Sequence, residues 1–392
     1  MQDVLLPHVI FSPGTLALVL AAQLAELGHS VALFSPGQVT CAPNVQNITA
    51  DMSLFRHELA GRGYGYIELL KKHPLTFVAM ARQVQAELIS QAFATANRDE
   101  LDVVHIYTNE EDIALPFAQF CIKPVVFTHH DPFSFLVKYK NTFPKYKHLN
   151  WISISIAQRA EMPPDTNWVG NIHHGLPVDE YVPNYTPAAT QPYVVCLGRI
   201  IEAKGVHLAI AAVKEYNQVA RSARKPTLRL KIAGQHYAGH AKDTYWHDKI
   251  LPYIDGTEIE YVGFAKKTAE KQKLLGGATA LLMPSTFNEP FGMVAIESMA
   301  CATPVVGLGS GAIAEVVGQY GGVIVPYSTT TTAGRVIPDN HAIIDGLVMA
   351  LQKVRAVDRR RCRSQFENNF SAMRMAKEHL ATYIKLIGPI AD

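Results

Sequence analysis

Glu289 and Glu297 stand eight residues apart in Pro284-Ser285-Thr286-Phe287-Asn288-Glu289-Pro290-Phe291-Gly292-Met293-Val294-Ala295-Ile296-Glu297. The apolar run Ala280-Leu281-Leu282-Met283 before it predicts a buried strand, and Phe291 to Ala300, free of internal breakers, predicts a helix. Glu289 then lies in the loop, where Pro290 biases it away from helix so that its carboxylate projects, and Glu297 lies about two turns into the helix. Two carboxylates beside a helix start, whose first N–H groups are free to hold an anion, suit a ligand such as a sugar nucleotide gripped at both ends. Solvated glutamates favoured by the helix dipole are the simpler account of Glu289. They account poorly for Glu297, which is set among Met293-Val294-Ala295-Ile296 and Ser298-Met299-Ala300.

A second candidate is Leu197-Gly198-Arg199-Ile200-Ile201-Glu202-Ala203-Lys204-Gly205, placed between a strand and the helical run Val206 to Tyr216. Ligands of parallel sheets bind beyond the carboxyl ends of the strands, and Arg199 and Lys204 could there neutralise a diphosphate and the charge that builds as it leaves. The plain alternative is two surface cations on a βα loop. Thr128-His129-His130-Asp131 also follows a strand, so a histidine there could touch a hydroxyl or move a proton; structural histidines in a capped loop are the simpler reading. Neither this pair nor His173-His174 has a metal-ligand spacing with a carboxylate cluster, and no Asp-x-Asp motif occurs, so no metal is expected. Phe11-Ser12-Pro13-Gly14-Thr15 reads as a loop before the helical run Leu16 to Leu27. Its single glycine falls short of the Gly-x-Gly-x-x-Gly of dinucleotide binders.

Between Lys138 and His148, Lys138, Lys140, Lys145 and Lys147 alternate with aromatic residues and no acid. They could make a peripheral contact with a membrane surface or an anionic acceptor. A solvated face is the simpler reading because the surrounding half is acidic, and no nucleic-acid-binding motif accompanies them.

Positioning such residues takes more than one core. A chain of 392 residues with 48% apolar and 18% charged residues points to two well-packed domains. Short apolar strands alternate with amphipathic helices throughout, which predicts α/β architecture with helix-covered parallel sheets. The clearest strands in the first half are Val31 to Phe34, Val103 to Ile106, Val125 to Thr128 and Trp151 to Ile154. In the second half they are Tyr193 to Leu197, Leu228 to Ala233, Glu258 to Val262, Ala280 to Met283 and Pro304 to Gly307, and a long helical pattern follows Asp339. Residues 181–193 hold three prolines and no periodic pattern and read as the linker. The formal charge of +2 divides unevenly: residues 1–190 carry 12 basic against 17 acidic side chains, and residues 191–392 carry 24 against 17, hence −5 and +7. A basic second half suits a phosphate-bearing ligand. Five scattered cysteines show no disulfide or metal framework and read as reduced thiols. With no run long enough to span a membrane and no visible signal peptide, a cytoplasmic protein is expected, with peripheral membrane attachment as a variant.

In this order the pieces resemble the large retaining glycosyltransferase family 4 of the GT-B fold. Gly198-Arg199 with Lys204-Gly205, and the Glu-x7-Glu pattern within Pro-Ser-x-x-x-Glu-Pro-Phe-Gly, carry the resemblance. Ile232-Ala233-Gly234, Val262-Gly263-Phe264, Thr303-Pro304-Val305-Val306 and the acidic helix start near Glu315 support it. The resemblance covers nearly the whole chain. It implies two Rossmann-like, doubly wound parallel-sheet domains facing a central cleft. Residues 1–185 would form the acceptor domain and 186–370 the donor domain, with 371–392 as a C-terminal helix crossing back. It further implies transfer, with retention and without a metal or other cofactor, from a nucleotide-diphospho-sugar to an unidentified sugar, lipid or small-molecule acceptor. A UDP-sugar is the first expectation for the donor by family frequency.

Carried over by position, Arg199 and Lys204 look like the diphosphate clamp, Glu297 like the ribose holder and Glu289 like the reader of the donor sugar. Backbone N–H groups of Phe291, Gly292, Met293 and Val294 would face the donor, and Gly263 and Phe264 would lie beside the base. Gly14 matches the N-terminal glycine loop, although many relatives have two glycines there. His130 matches the family histidine better than His129, a choice the residues leave open. Ala302 and Ser298 are further, milder departures from the family pattern. Two rivals stand beside this reading: a glycoside hydrolase using Glu289 and Glu297 as acid and nucleophile, and a non-catalytic sugar-nucleotide-binding protein of the same fold. The oligomeric state is not readable from the sequence.

Overall fold

The computed structural model describes residues 12–107, 111–187, 191–236, 243–332 and 335–388. They form two compact units. The first comprises the described residues up to Ile154, Arg159–Gly175, and those from Ala372 onward; the second comprises Ser155–Gln158 and Leu176–Ser371.

In the first unit β1 (Val31–Ser35) and β2 (Val45–Thr49) pair in parallel. A separate parallel sheet contains β3 (Val104–Ile106), β4 (Val125–Thr128), β5 (Asn150–Ser153) and β6 (Trp168–Asn171) in that order. Every residue of β4 is buried, as expected of a parallel strand covered on both faces. The helix Pro74–Asn97 opens on a proline, which the first turn tolerates, and buries Met80, Val84, Leu88, Ala92 and Ala96 at helical spacing. The C-terminal helix Ala372–Ile387 buries Met375, Ala376, His379 and Tyr383 in the same way and belongs to this unit.

The second unit holds one six-stranded sheet. Its strands are β7 (Tyr193–Leu197), β8 (Arg229–Ala233), β9 (Ile259–Gly263), β10 (Ala280–Met283), β11 (Val305–Leu308) and β12 (Gly322–Val325). The spatial order is β12-β11-β10-β7-β8-β9, with all pairs parallel. From β7 the chain winds outward through β8 to β9, then returns to β10 beside β7 and winds the other way. The gap between β7 and β10 is thus a topological switch point, where loops at the carboxyl ends diverge and leave room for a ligand. A hairpin of β13 (Thr329–Thr332) and β14 (Arg335–Pro338), wholly exposed except for Pro338, follows β12.

The predicted strands agree with the observed ones to within a residue or two. β2, β6, β12 and the hairpin were not among them, being short or only partly apolar. Three other expectations change. Residues 12–15 are not a loop: Gly14 sits in the first turn of the helix Ser12–Glu26, because Pro13 costs nothing where the N–H has no helical partner; Phe11 lies outside the described residues. The chain passes to the second unit at Leu176 rather than at 186. Residues 176–187 are held there because Arg363 donates to the carbonyls of Val178 and Tyr181, and the Asn184 N–H donates to the Cys301 carbonyl at 3.0 Å. The long helical pattern after Asp339 breaks into helices Asn340–Lys353, Arg359–Asn369 and Ala372–Ile387, the first two capped by the Asp339 and Asp358 carboxylates. The five cysteines are free thiols; Cys196, Cys301 and Cys362 are buried. Among the described residues no helix is long and apolar enough to cross a membrane.

Candidate functional site

The two loops flanking the switch point carry the cations and the first glutamate. After β7 the chain turns at Gly198, whose φ of 147° falls in glycine territory, and Arg199 emerges exposed, with no ion pair to any described residue. A short helical turn, Glu202–Lys204, ends at Gly205 with φ 68°. The Ala203 carbonyl accepts the Thr286 N–H at 2.9 Å, which ties this loop to the one after β10. A Cβ on Gly205 would lie 2.0 Å from the Pro284 carbonyl oxygen, and one on Gly234 would lie 1.8 Å from that of Gly198, so both glycines permit backbone contact that no other residue allows. Gly205→Ala therefore pries the two loops apart. Its expected cost is about 3 kcal/mol of stability in denaturant unfolding of the whole chain, with loss of whatever Lys204 does.

Lys204 is drawn inward. Its ammonium pairs with Glu289, whose same oxygen Oε1 accepts the Ser285 hydroxyl at 2.6 Å. Glu289 is 5% exposed, so the expected projecting carboxylate is corrected: Pro290 keeps Glu289 out of the helix, but the side chain turns into the protein to meet a cation and a hydroxyl. The main chain of Glu289 is pinned as well, its carbonyl accepting the Ala312 N–H at 2.8 Å.

The helix begins at Met293, two residues later than expected, with Gly292 as N-cap at φ 107°. Phe291 therefore precedes it, and its ring is buried edge-on to Phe370 at 6.0 Å. Met293 and Val294 are half-buried in the first turn, where backbone donors have no intrahelical acceptor. Glu297 is the fifth helical residue, little more than one turn in. Its Oε1 accepts from Lys271 Nζ at 2.7 Å and from the Tyr181 hydroxyl at 3.1 Å. Its Oε2 is buried with no partner among the described residues. Burial first, and the Glu297 charge second, push the Tyr181 phenol well up, so it remains a donor. Sequence reasoning missed Tyr181 and Lys271 because their partner Glu297 lies 116 and 26 positions away, and Ser285, four positions before Glu289, stood in the motif without a role. Gly263 (φ 80°) ends β9 and Phe264 follows it; both are half-buried.

Each glutamate is thus bound to its own lysine and hydroxyl, an arrangement suited to fixed acceptors rather than to a carboxyl pair that trades a proton across one bond.

The histidines belong to the first unit. His129 is fully buried, 3.2 Å from Glu111 and surrounded by the rings of Phe133, Tyr139 and Phe143. His130 is 8% exposed; its Nε2 meets the Tyr107 carbonyl at 3.0 Å and its ring stacks on His174 at 5.1 Å. The network extends through His379, whose ring lies 5.5 Å from that of His105, to a bond between His105 and the Tyr383 hydroxyl at 2.6 Å. Burial pushes His130 down to about 3 and His379 to about 4, and holds His105 and His174 well below the usual histidine range, so all four rings are neutral in the folded unit. Of the four lysines, Lys138 pairs with Asp112 and Lys147 with Asp165, while Lys140 and Lys145 are exposed.

Residues 178–337 match the family described as glycosyl transferases group 1. Glycogen synthase of Mycobacterium tuberculosis is 32% identical over 187 residues, which cover 47% of this chain and 41% of that protein. The chain thus spans less than half the length of that relative. Among solved structures, sucrose-phosphate synthase from Thermosynechococcus elongatus superposes with a TM-score of 0.66 at 18% identity, covering 94% of this chain and 91% of that one. Anabaena HepE in complex with UDP superposes with a TM-score of 0.62 at 17% identity, covering 94% and 95%.

Proposed function

Since this chain carries a glycosyl transferases group 1 domain on a GT-B fold, we propose that it transfers a sugar, with retention, from a nucleotide-diphospho-sugar to a hydroxyl-bearing acceptor. The supporting observation is the convergence at the switch point: adjacent strands β7 and β10 deliver Lys204 and Glu289 into one ion pair, with Lys204 on the same loop as Arg199, which has no ion pair to a described residue. Arg199 and Lys204 bind the diphosphate. Glu289, shared between Lys204 and Ser285, accepts from hydroxyls of the donor sugar. Glu297 accepts from the ribose, whose hydroxyl relieves the cost of the partnerless Oε2. The donor's anomeric carbon–oxygen bond breaks, the acceptor oxygen bonds to the same face, and the acceptor proton passes to the departing phosphate. The two cations stabilise the charge on that phosphate, a role a divalent metal plays elsewhere, so activity persists in excess EDTA.

UDP is the first base to test, because HepE of the same fold was crystallised with it. The acceptor is a sugar, lipid or small molecule; exposed Lys140 and Lys145 are the side chains that an anionic acceptor or membrane surface would meet. In a thermal-shift panel of UDP, GDP and ADP, one diphosphate at 100 times its Kd should stabilise the protein by roughly 2.7 kcal/mol. Glu297→Ala should abolish most of that shift, as titration calorimetry would show directly. Equal binding by wild type and variant removes the ribose role, and no shift with any of the three removes the donor reading.

A further inference from the structure

β8 is the next strand outward from β7, and the residues that follow it are locked against the Arg199 loop. The Gly198 N–H donates to the Ala233 carbonyl at 3.0 Å, and the Ile200 N–H donates to that of Gln235 at 3.0 Å. Gly234 abuts Gly198 with no room for a side chain, and its carbonyl accepts the Tyr261 hydroxyl at 3.0 Å. His236 follows at once. Its ring lies flat on Trp246, 4.0 Å between centroids at 4°, with Tyr261 at 6.1 Å. Its Nδ1 is 3.0 Å from Oδ2 of Asp243, a carboxylate that is itself 7% exposed and accepts the Trp246 N–H through Oδ1.

An imidazole held by a buried carboxylate on one nitrogen and by an indole on one face has a fixed orientation. The one polar atom left over is Nε2, for which no described residue is a partner, on a side chain 18% exposed. That fixed aim leaves Nε2 as the position a ligand at this edge of the sheet would meet. Its position supplies a use. Along the carboxyl edge of the sheet, Glu289 follows β10, Arg199 and Lys204 follow β7, and Gly263 ends β9 with Phe264 after it. His236 follows β8, between the cations and the strand assigned to the base.

We infer that His236 is a donor-binding residue whose Nε2–H bonds a phosphate oxygen on the nucleoside side of the diphosphate, held in place by Asp243 and Trp246. The inference rests on the proposed nucleotide-diphospho-sugar reading of the same site. Nothing in the sequence marks this residue, since Asp243 and Trp246 reach it only through the fold.

The test is titration calorimetry of the full chain with UDP, GDP and ADP, for wild type, Arg199→Ala, His236→Asn and His236→Gln. Asparagine keeps a donor for Asp243 and removes the Nε2 position; glutamine returns a neutral donor near it. With the tightest diphosphate, His236→Asn should bind about tenfold more weakly than wild type, the loss expected of one hydrogen bond to a charged group. His236→Gln should recover part of that loss, a rescue that a purely structural role does not produce. Should the asparagine variant not fold, the glutamine variant decides alone: binding weaker than wild type supports the role, and equal binding overturns it. Weak binding by Arg199→Ala with wild-type binding by both His236 variants overturns this inference and leaves the donor site standing. Failure of wild type to bind any of the three overturns both.

Discussion

Lys204→Ala should lower turnover about 100-fold or more with every nucleotide-sugar the protein accepts, and should also lower stability by about 2 kcal/mol. The first effect follows from removing one of the two cations proposed to meet the leaving diphosphate; deleting a single charge-stabilising donor from an active site costs about 100- to 1,000-fold. The second follows from the Glu289 carboxylate, which is almost fully buried and would keep only the Ser285 hydroxyl. A buried charge stripped of its partner is worse than a pair never made. The double variant Lys204→Ala/Glu289→Gln separates the two: stability should return because no charge is left unpaired, while turnover should not. Steady-state kinetics with two different donors, together with denaturant unfolding, provide the readout. A loss confined to one nucleobase would contradict the diphosphate role, and restored turnover in the double variant would place Lys204 among merely structural residues.

The second large effect is acid lability of the first unit. His105, His130, His174 and His379 are neutral when folded, and each regains the ordinary histidine value of about 6.5 on unfolding. A folded-state value below the unfolded one means that the unfolded chain binds more protons in between. Stability from these groups is therefore complete above about pH 6.5 and is lost as pH falls toward 4 and then 3. Each group contributes a slope of about 1.4 kcal/mol per pH unit, so together they should produce a loss on the order of 5 kcal/mol per unit below pH 6. The Arg374 charge beside this cluster lowers His174 and His379 further and so extends the loss to lower pH. Unfolding followed by tryptophan fluorescence from pH 8 to 4 measures it. His379→Leu, close in volume, should flatten the dependence by about a quarter. An unchanged slope would show that His379 is already charged or exposed in solution.

What the sequence by itself determined is the set of local rules. Alternating apolar strands and amphipathic helices were enough for an α/β chain with parallel sheets, because strand burial and helix periodicity are written in neighbouring residues. Gly198, Arg199, Lys204, Gly205 and the Glu289–Glu297 stretch were legible for the same reason: each is a short motif between a strand and a helix, where a ligand site would be built. Pro13 was in plain view, yet its glycine neighbour suggested a loop, and only the formed first turn showed Gly14 to be helical.

The tertiary structure decided the partners. Nothing near Glu289 in the chain announces that Lys204, 85 positions earlier, will fold onto it. The same holds for Tyr181 and Lys271 meeting at Glu297, and for residues 176–187 being claimed by Arg363 instead of hanging as a linker. The reversal of strand order between β7 and β10, which brings Lys204 and Glu289 together, is likewise a property of the whole sheet. A buried charge must be matched, but the requirement does not say by which residue; that choice is made only when the strands take their places.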